Sequence, residues 1–184
     1  MLAQLACGQA ASASTSLILT LSDLRKRTRR VVLGRPVLHE SEWMLVGGSR
    51  RIITKTRFVQ QHDWLKGETA DDRVEDEFMV WTLGGRVGSL AQKVPGEAHL
   101  PLNEQVLLFV GEGADDHERI IGMSQGCYPI QNDHNGLHLQ RSPHLPQLIG
   151  ARPGPEAPAH ARAAVDVLHN AEYHQAFSLI RGAR

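Results

Sequence analysis

A literal G-x-S-x-G motif, Gly122-Met123-Ser124-Gln125-Gly126, is the first pattern in this chain whose residue types could carry chemistry. In α/β-hydrolases such a motif forms a nucleophile elbow, in which the serine follows a strand and precedes a helix. Here the next residues, 127–130, contain a proline and predict a β segment instead of a helix. The motif therefore indicates two glycines that flank a kinked strand, and a serine hydrolase that uses Ser124 is the alternative.

Three histidines that lie close together in the sequence, His134, His138 and His144, are candidate metal ligands. The dipeptide Asn135-Gly136 between the first two predicts a hairpin with a two-residue type I′ turn, because both central residues must accept a positive φ. The first two histidines are therefore expected on two antiparallel strands that pair with each other.

The predicted register of this hairpin pairs His134 with Leu137 and Asp133 with His138. Because side chains alternate between the faces of a strand, His134 and His138 are expected on opposite faces, where they cannot bind one metal ion together. Directly opposite residues do meet, so we expect Asp133 and His138 to form a cross-strand ion pair. The pattern predicts no metal site here.

A second group near the C-terminus, His169, Glu172 and His174, narrowly misses the H-x-x-E-H pattern. On a helix Glu172 would lie over His169, but His174 would point roughly 140° away. Zinc ligation by two helical histidines requires both of them on one face. We predict a polar helix face and no cofactor, and a His-based metal-binding protein is the second alternative.

The elements that must position these residues are mostly strands. In the segment 52–59 the even-numbered residues share one face, and Lys55 and Arg57 lie on the other. With the apolar run 43–46 and the glycines that follow it, this segment predicts a long hairpin. The run 105–110 is the most apolar and predicts the central strand. Six or seven short strands after one helix predict a mainly β fold, a small antiparallel barrel.

The chain is divided into four regions by its composition. Residues 1–16 are expected to be a signal-peptide remnant or disordered, 17–148 the β-barrel domain, 149–158 a Pro/Gly linker, and 159–184 a loosely attached C-terminal helix, or two helices that are broken near residues 169–170. Gly34 and Pro36 are expected to interrupt the first strand by a bulge or a sharp coil on an edge. The acidic stretch that ends at Glu77 is expected to be an exposed loop.

The charge of the chain points to no particular polyanion. Twenty basic residues balance twenty acidic ones, and no apolar run reaches the length of a transmembrane segment. The basic run 25–30 is expected on a short helix that is capped by Ser22 and has Arg29 and Arg30 at its C-terminal end. We therefore expect no nucleic-acid partner.

The N-terminus suggests export. Small residues dominate it, and Ala11-Ser12-Ala13 matches an A-x-A cleavage site. The expected location is secreted or periplasmic, with a truncated signal peptide, and the alternative is cytoplasmic. Removal of Cys7 with the signal would leave Cys127 alone, and we interpret Cys127 as a small core residue, not a nucleophile.

Several turn and strand landmarks resemble a family of uncharacterised secreted bacterial β-domain proteins. The topology of that family is similar to the OB-like barrels of netrin and metalloproteinase-inhibitor type, although the cysteines that mark those inhibitors are missing here. The resemblance implies an OB-like fold and an exported location, and it implies no catalytic residues. The landmarks are Leu65-Lys66-Gly67, the glycine-rich segment 84–88, the strand 107–110 and the segment 122–126.

The function expected from these patterns is a non-enzymatic exported module that binds an unknown protein or small molecule. The strands and turns are well specified, and no catalytic set satisfies the geometry that its chemistry requires. Tryptophans are as often core residues as contact residues. The candidate interaction surface consists of Trp43, Arg51, Lys55, Arg57 and Trp64.

Overall fold

The computed structural model describes residues 15–70, 73–113, 116–134, 136–150 and 153–183. The expectations for the signal remnant, for Cys7 and for the cleavage site at 11–13 lie outside the described residues. The strands are β1 Thr15–Leu17, β2 Arg30–Val46, β3 Ser49–Asp63, β4 Arg73–Leu83, β5 Gly85–Val87, β6 Leu90–Gln92, β7 Val106–Glu112, β8 Glu118–Ile120, β9 Cys127–Asp133, β10 Gly136–Leu139 and β11 Gln147–Ile149. The α-helices are α1 Leu21–Lys26, α2 Ala164–Val167 and α3 Tyr173–Gly182, with 3₁₀ turns at Met123–Gly126 and Ala159–Ala161.

The main sheet has seven antiparallel strands in the order β10-β9-β7-β2-β3-β4, with β8 paired to the far end of β7. Two small sheets, β1 with β11 and β5 with β6, complete the strands that the structure describes. The mainly β prediction is confirmed. The barrel is not closed, because β4 pairs with β3 alone and the three-residue β8 pairs only with β7. Across this open seam the ring of Trp81 stacks on His117 with ring centroids 3.4 Å apart.

The first long strand continues through Gly34 and Pro36 without a break, and the bulge that was expected at these residues is present. Strand β2 absorbs these residues in two β-bulges, one between Leu33 and Gly34 and one between Pro36 and Leu38. Its pairing with β7 ends at Gly34, so the missing N–H of Pro36 breaks no bond of the β2–β7 ladder. The long hairpin predicted from the run 43–46 and the segment 52–59 is confirmed as β2–β3.

The acidic stretch is not a loop throughout, as the sequence suggested. Strand β4 begins at Arg73 and its acidic half pairs with β3, with Asp76 opposite Gln60 and Glu77 opposite Val59. Glu77 also lies 3.8 Å from the Arg57 guanidinium. The basic side chain of Arg57 on the neighbouring strand explains why the carboxylate of Glu77 is accepted at this position.

Helix α1 differs from its prediction at both ends. Its N-cap is Thr20, whose hydroxyl accepts the N–H of Asp23 at 3.0 Å, and not Ser22. The helix ends at Lys26, so Arg30 already belongs to β2, where it is paired with Glu118. Thr20 precedes the helix in extended conformation, which is the geometry that a capping side chain needs.

Two hydrophobic cores lie on opposite faces of the sheet. The first lies inside the curled sheet and is formed by side chains of β2, β3, β4, β7, β8 and β9, together with Leu100. The second lies between the other face and the helices, and there Trp64, Phe109 and Tyr128 meet the helical Leu24 and Ile180. The sheet is therefore buried on both sides at β7, the run that was predicted to be central.

The C-terminal region contributes to the second core and is not loosely attached. Helices α2 and α3 are separate, with Asn170 between them at φ 59°, which matches the two-helix alternative. The ring of Tyr173 contacts Trp64 edge to face at 5.1 Å, and its hydroxyl donates to the carbonyl of Ala70 at 3.0 Å. These contacts fix α3 to the end of β3.

The predicted Asn-Gly hairpin is present as β9–β10, but its register is shifted by two residues, because the partner of Asp133 is Gly136 and not His138. Gly136 lies opposite Asp133, and His138 lies opposite Gln131, so the predicted pair of His134 with Leu137 is wrong. Gly136 occupies the ladder position next to the turn at φ 108°, a conformation that suits glycine. The expected contact between Asp133 and His138 is still present, because the two residues are diagonal neighbours across the two strands, with His138 Nε2 3.6 Å from Asp133 Oδ1.

Candidate functional site

A groove of about 680 Å³ lies at the end of the sheet where β2, β3 and β4 leave the inner core. Its floor is the even-numbered face of β3 with the residues opposite on the neighbouring strands: His39 opposite Thr56, Ser41 opposite Thr54, and Thr82 opposite Thr54 from the other side. One wall is the segment 92–100 and the other is the segment 144–147. The floor is rich in hydroxyl groups because the apolar alternation of β3 changes to threonine at this end.

The imidazole of His39 joins the floor to one wall. Its Nδ1 lies 2.9 Å from the hydroxyl of Thr56, and its Nε2 lies 2.8 Å from the carbonyl oxygen of Leu100. Because a carbonyl can only accept, Nε2 carries the proton, and in the neutral ring Nδ1 accepts from Thr56. Both ring nitrogens are therefore occupied, and the ring is held in one orientation.

A chain of hydroxyl groups runs along the floor. Thr54 donates to the carbonyl of Gly84 at 2.7 Å, which leaves its oxygen free to accept from Ser41 at 2.9 Å. Gly85 lies directly above at φ 128°, and a Cβ there would be only 2.5 Å from the Ser41 oxygen. Glycine is thus required for β5 to approach the floor this closely.

Glu97 links the wall 92–100 to the end of β4. Its two carboxyl oxygens accept backbone N–H groups, from Leu83 at 2.9 Å and from Ala98 at 3.1 Å. Burial raises the pKa of the Glu97 carboxyl above its ordinary value, although these two hydrogen bonds and the Arg119 guanidinium act in the opposite direction. The groove therefore contains a carboxyl group whose charged form is partly desolvated.

Two further imidazoles face each other across the groove. The rings of His99 and His144 meet edge to face, with centroids 5.0 Å apart, one from each wall. Both side chains are exposed to solvent. Across the part of the chain that the structure describes, no three histidine, cysteine or carboxylate side chains converge on a common point.

Three residues of the expected interaction surface, Arg51, Lys55 and Arg57, share the outer face of β3, opposite to the groove. Lys55 is 2.6 Å from Glu42 and lies over the ring of Trp81 at 4.6 Å. Much of the charge of this strip is thus balanced by carboxylates on neighbouring strands.

The two tryptophans of that surface lie elsewhere. Trp43 is opposite Ile52 and so belongs to the groove side of the hairpin, where it is half-buried under the guanidinium of Arg50. Trp64 is fully buried in the second core, between Tyr173 and Phe177. The five predicted residues therefore do not form one surface, and the hairpin alternation that separates Trp43 from Lys55 is visible in the sequence.

Ser124 lies in the 3₁₀ turn Met123–Gly126 and only 1% of it is exposed. Its hydroxyl donates to the backbone carbonyl of His144 at 3.4 Å, and β9 follows the turn where a nucleophile elbow would have a helix. Gln125 beside it holds the N-terminal strand, since its amide accepts from Leu19 N at 3.0 Å and donates to Leu17 O at 2.9 Å. The motif is a structural turn.

The remaining candidate residues are also placed in structural roles. Cys127 is a fully buried member of the inner core, as predicted, and burial raises the pKa of its thiol to about 12. His169 and Glu172 lie between α2 and α3, so the expected continuous helix with His174 is not formed. His169 accepts the N–H of Arg141 at 3.4 Å.

The sequence did not identify the groove, although it contained one signal for it. The even-numbered face of the segment 52–59 was predicted, and its change from apolar residues to Thr54 and Thr56 marks the start of the groove. The walls come from segments far away in sequence. They are brought together by backbone contacts such as Ser124 N to Gly96 O at 3.1 Å.

In comparisons with known proteins, no family model, no curated protein and no solved structure matches this chain. The fold and the groove define its class: a mainly β protein with an open, curled antiparallel sheet, helices on one face and a polar groove at one end. Among the helices that the structure describes, none combines the length and the apolar content that crossing a bilayer requires.

Proposed function

We propose that this protein is a non-enzymatic binding module that takes a polar ligand, a small molecule or a short segment of a partner protein, in the groove. The observation that carries the proposal is the groove itself. Its volume of about 680 Å³ falls in the range of small-molecule sites. Its floor is fixed before any ligand arrives, because His39, Thr54 and Thr56 already hold one another or the backbone.

The same hydrogen bonds support binding over catalysis. A general base needs a ring nitrogen that is free to take a proton, and both nitrogens of His39 are occupied. A serine nucleophile needs an accessible hydroxyl next to a base, and the hydroxyl of Ser124 is buried against a carbonyl. Rigid polar groups of this kind orient a bound ligand at a low entropic cost.

Screening the folded protein against peptides and oligosaccharides by thermal shift tests the proposal. We expect hits that raise the unfolding temperature of the wild type and lose their effect in His99→Trp, where a larger ring fills the groove between the two walls. His160→Trp is the matched control, because His160 is also an exposed histidine and does not line the groove. Hits that act equally on both variants contradict the proposal.

We also propose that the module works outside the cytoplasm. The small-residue run with Ala11-Ser12-Ala13 supports this proposal at the level of sequence. Fractionation of the source cells, with an antibody against this chain, tests it directly. The protein is expected in the periplasm or in the medium, and its recovery from the cytoplasm contradicts the proposal.

A further inference from the structure

Two hairpins at the groove end of the molecule carry an unusual set of side chains. We call them the cationic hairpin pair and define them as residues 43–52, the tip of β2–β3, and residues 84–93, which contain β5–β6. They hold four of the twenty basic residues of the chain and no acidic residue. The rest of the chain therefore contains sixteen basic and twenty acidic residues. The pair itself carries four positive charges in a chain that has no net charge.

The two hairpins lie side by side. The backbone N–H of Ile52 donates to the Gln92 side chain at 2.9 Å, and the N–H of Gly84 donates to the carbonyl of Ile52 at 2.7 Å. On the other strand, the N–H of Arg86 donates to the hydroxyl of Ser41 at 3.4 Å. Strand β4 pairs with β3 only as far as Ile53, so the β2–β3 tip extends beyond the main sheet.

Both hairpins present a leucine to solvent next to their turns. Leu45 is 76% exposed and precedes the turn at 47–48, and Leu90 is 59% exposed and follows the turn at 88–89. Trp43 and Arg50 lie on the same face as Leu45, with the guanidinium 5.0 Å from the ring. Exposed leucines at the tips of two adjacent hairpins leave apolar surface uncovered.

All four cations of the pair, Arg50, Arg51, Arg86 and Lys93, are exposed. The nearest acidic residue before the β2–β3 tip, Glu42, is bound to Lys55 at 2.6 Å. None of the four forms a salt bridge with a carboxylate among the residues that the structure describes, so the pair combines positive charge with protruding leucines and a tryptophan that is polar at one edge. Apolar tips that are ringed by cations fit the boundary between lipid headgroups and acyl chains.

We propose that the cationic hairpin pair docks this protein on an anionic phospholipid surface. Leu45 and Leu90 enter the headgroup layer, and the arginines and Lys93 bind lipid phosphates. The acidic remainder of the chain faces away from the surface, so the charge asymmetry also orients the protein before contact. An acidic protein is the other polyanion that could meet such charges, but convex tips with exposed leucines offer it little surface to pack against.

Cosedimentation of the full chain with vesicles tests the proposal. We expect binding to vesicles of phosphatidylcholine mixed with phosphatidylglycerol, with little binding to phosphatidylcholine alone. Arg50→Gln with Arg51→Gln is expected to weaken binding about tenfold or more, and Leu45→Ser with Leu90→Ser to weaken it to a similar degree. Added salt should weaken binding of the wild type and should affect the arginine variant less.

The matched control replaces the same residue types on the outer face of the same strands. Leu38 and Arg57 are exposed and lie opposite each other on β2 and β3, so Leu38→Ser with Arg57→Gln makes the same types of substitution away from the hairpin pair, at a leucine that is 39% exposed. We expect this control to bind as the wild type does. Equal loss in the control, absence of any preference for phosphatidylglycerol, or equally tight binding to soluble poly-glutamate that does not depend on the leucines would overturn the proposal.

Discussion

The carboxyl group of Glu97 holds the backbone N–H of Leu83 at 2.9 Å, and this bond ties one wall of the groove to the last residue of β4. The second oxygen of the same carboxyl group holds the N–H of Ala98, so one side chain satisfies two backbone donors. Because the group is largely withdrawn from water, burial raises its pKa. The groove wall therefore depends on a carboxyl group that is easier to protonate than an exposed one.

This arrangement predicts a pH-dependent effect of Glu97→Gln. A carboxyl group whose pKa is raised above its ordinary value of 4.5 contributes stability that is present below that value and is lost as the pH rises through the folded-state pKa. In the variant, the side-chain amide at position 97 does not titrate. We therefore expect the free energy of unfolding of the variant, relative to the wild type, to increase from about pH 4 to about pH 7 in urea titrations.

Glu104→Gln is the control for this experiment, since it removes the same charge at an exposed position. A relative stability of Glu97→Gln that stays constant or decreases over the same pH range would show that the burial of this carboxyl group is not the dominant effect.

The two hydrogen bonds of His39 predict a difference between neighbouring residues of β2. His39→Ala removes both bonds and leaves the Leu100 carbonyl without its donor, which should cost about 1–2 kcal/mol of unfolding free energy. Glu40→Ala, on the opposite face, should change it by less than about 0.5 kcal/mol. Chemical denaturation measures both, and equal effects would mean that His39 does not hold the wall.

The structural turn at 122–126 predicts that Gln125 matters more than Ser124. Gln125→Ala leaves the N–H of Leu19 and the carbonyl of Leu17 without partners and should destabilise the fold by about 2–3 kcal/mol. Ser124→Ala loses one long bond and should cost less than about 1 kcal/mol. Thermal unfolding ranks the two variants. A serine-directed fluorophosphonate that labels the wild type and not Ser124→Ala would show a nucleophile instead.

The burial of Cys127 predicts an inert thiol. In a Cys7→Ser background the native protein should react with Ellman's reagent at neutral pH only as fast as it unfolds, because the thiol is fully buried and its pKa is raised to about 12. In denaturant the thiol of Cys127 should react with the reagent as fast as an exposed cysteine does. Rapid labelling of the folded protein would place Cys127 at the surface and contradict the inner core as described.

The local patterns of the sequence identified the most apolar strands but not the details of their pairing. Alternation identified the groove face of β3, and Asn135-Gly136 identified the β9–β10 hairpin. The predicted register was wrong by two residues, because Gly136 takes the ladder position opposite Asp133 instead of a turn position. The acidic half of β4 was missed, since its pairing with β3 is a tertiary effect that overrides the local preference for a loop.

The groove could not be predicted because its parts are distant in sequence. His39 bonds to Leu100, sixty-one positions away, and the wall that contains His144 is held through Ser124. Such contacts follow from how the sheet curls, which no local periodicity encodes. The tryptophans illustrate the same point: Trp64 lies in the second core because α3 packs over the end of β3.

The most direct test of a ligand site in the groove is a ¹H–¹⁵N spectrum of the labelled protein with a hit from the peptide and oligosaccharide screen. We expect the amide signals of His39, Glu97 and His144 to shift together and saturably, while those of Arg51 and Arg57 on the outer face stay in place. Shifts that are confined to the outer face, with the groove signals unchanged, would contradict a ligand site in the groove.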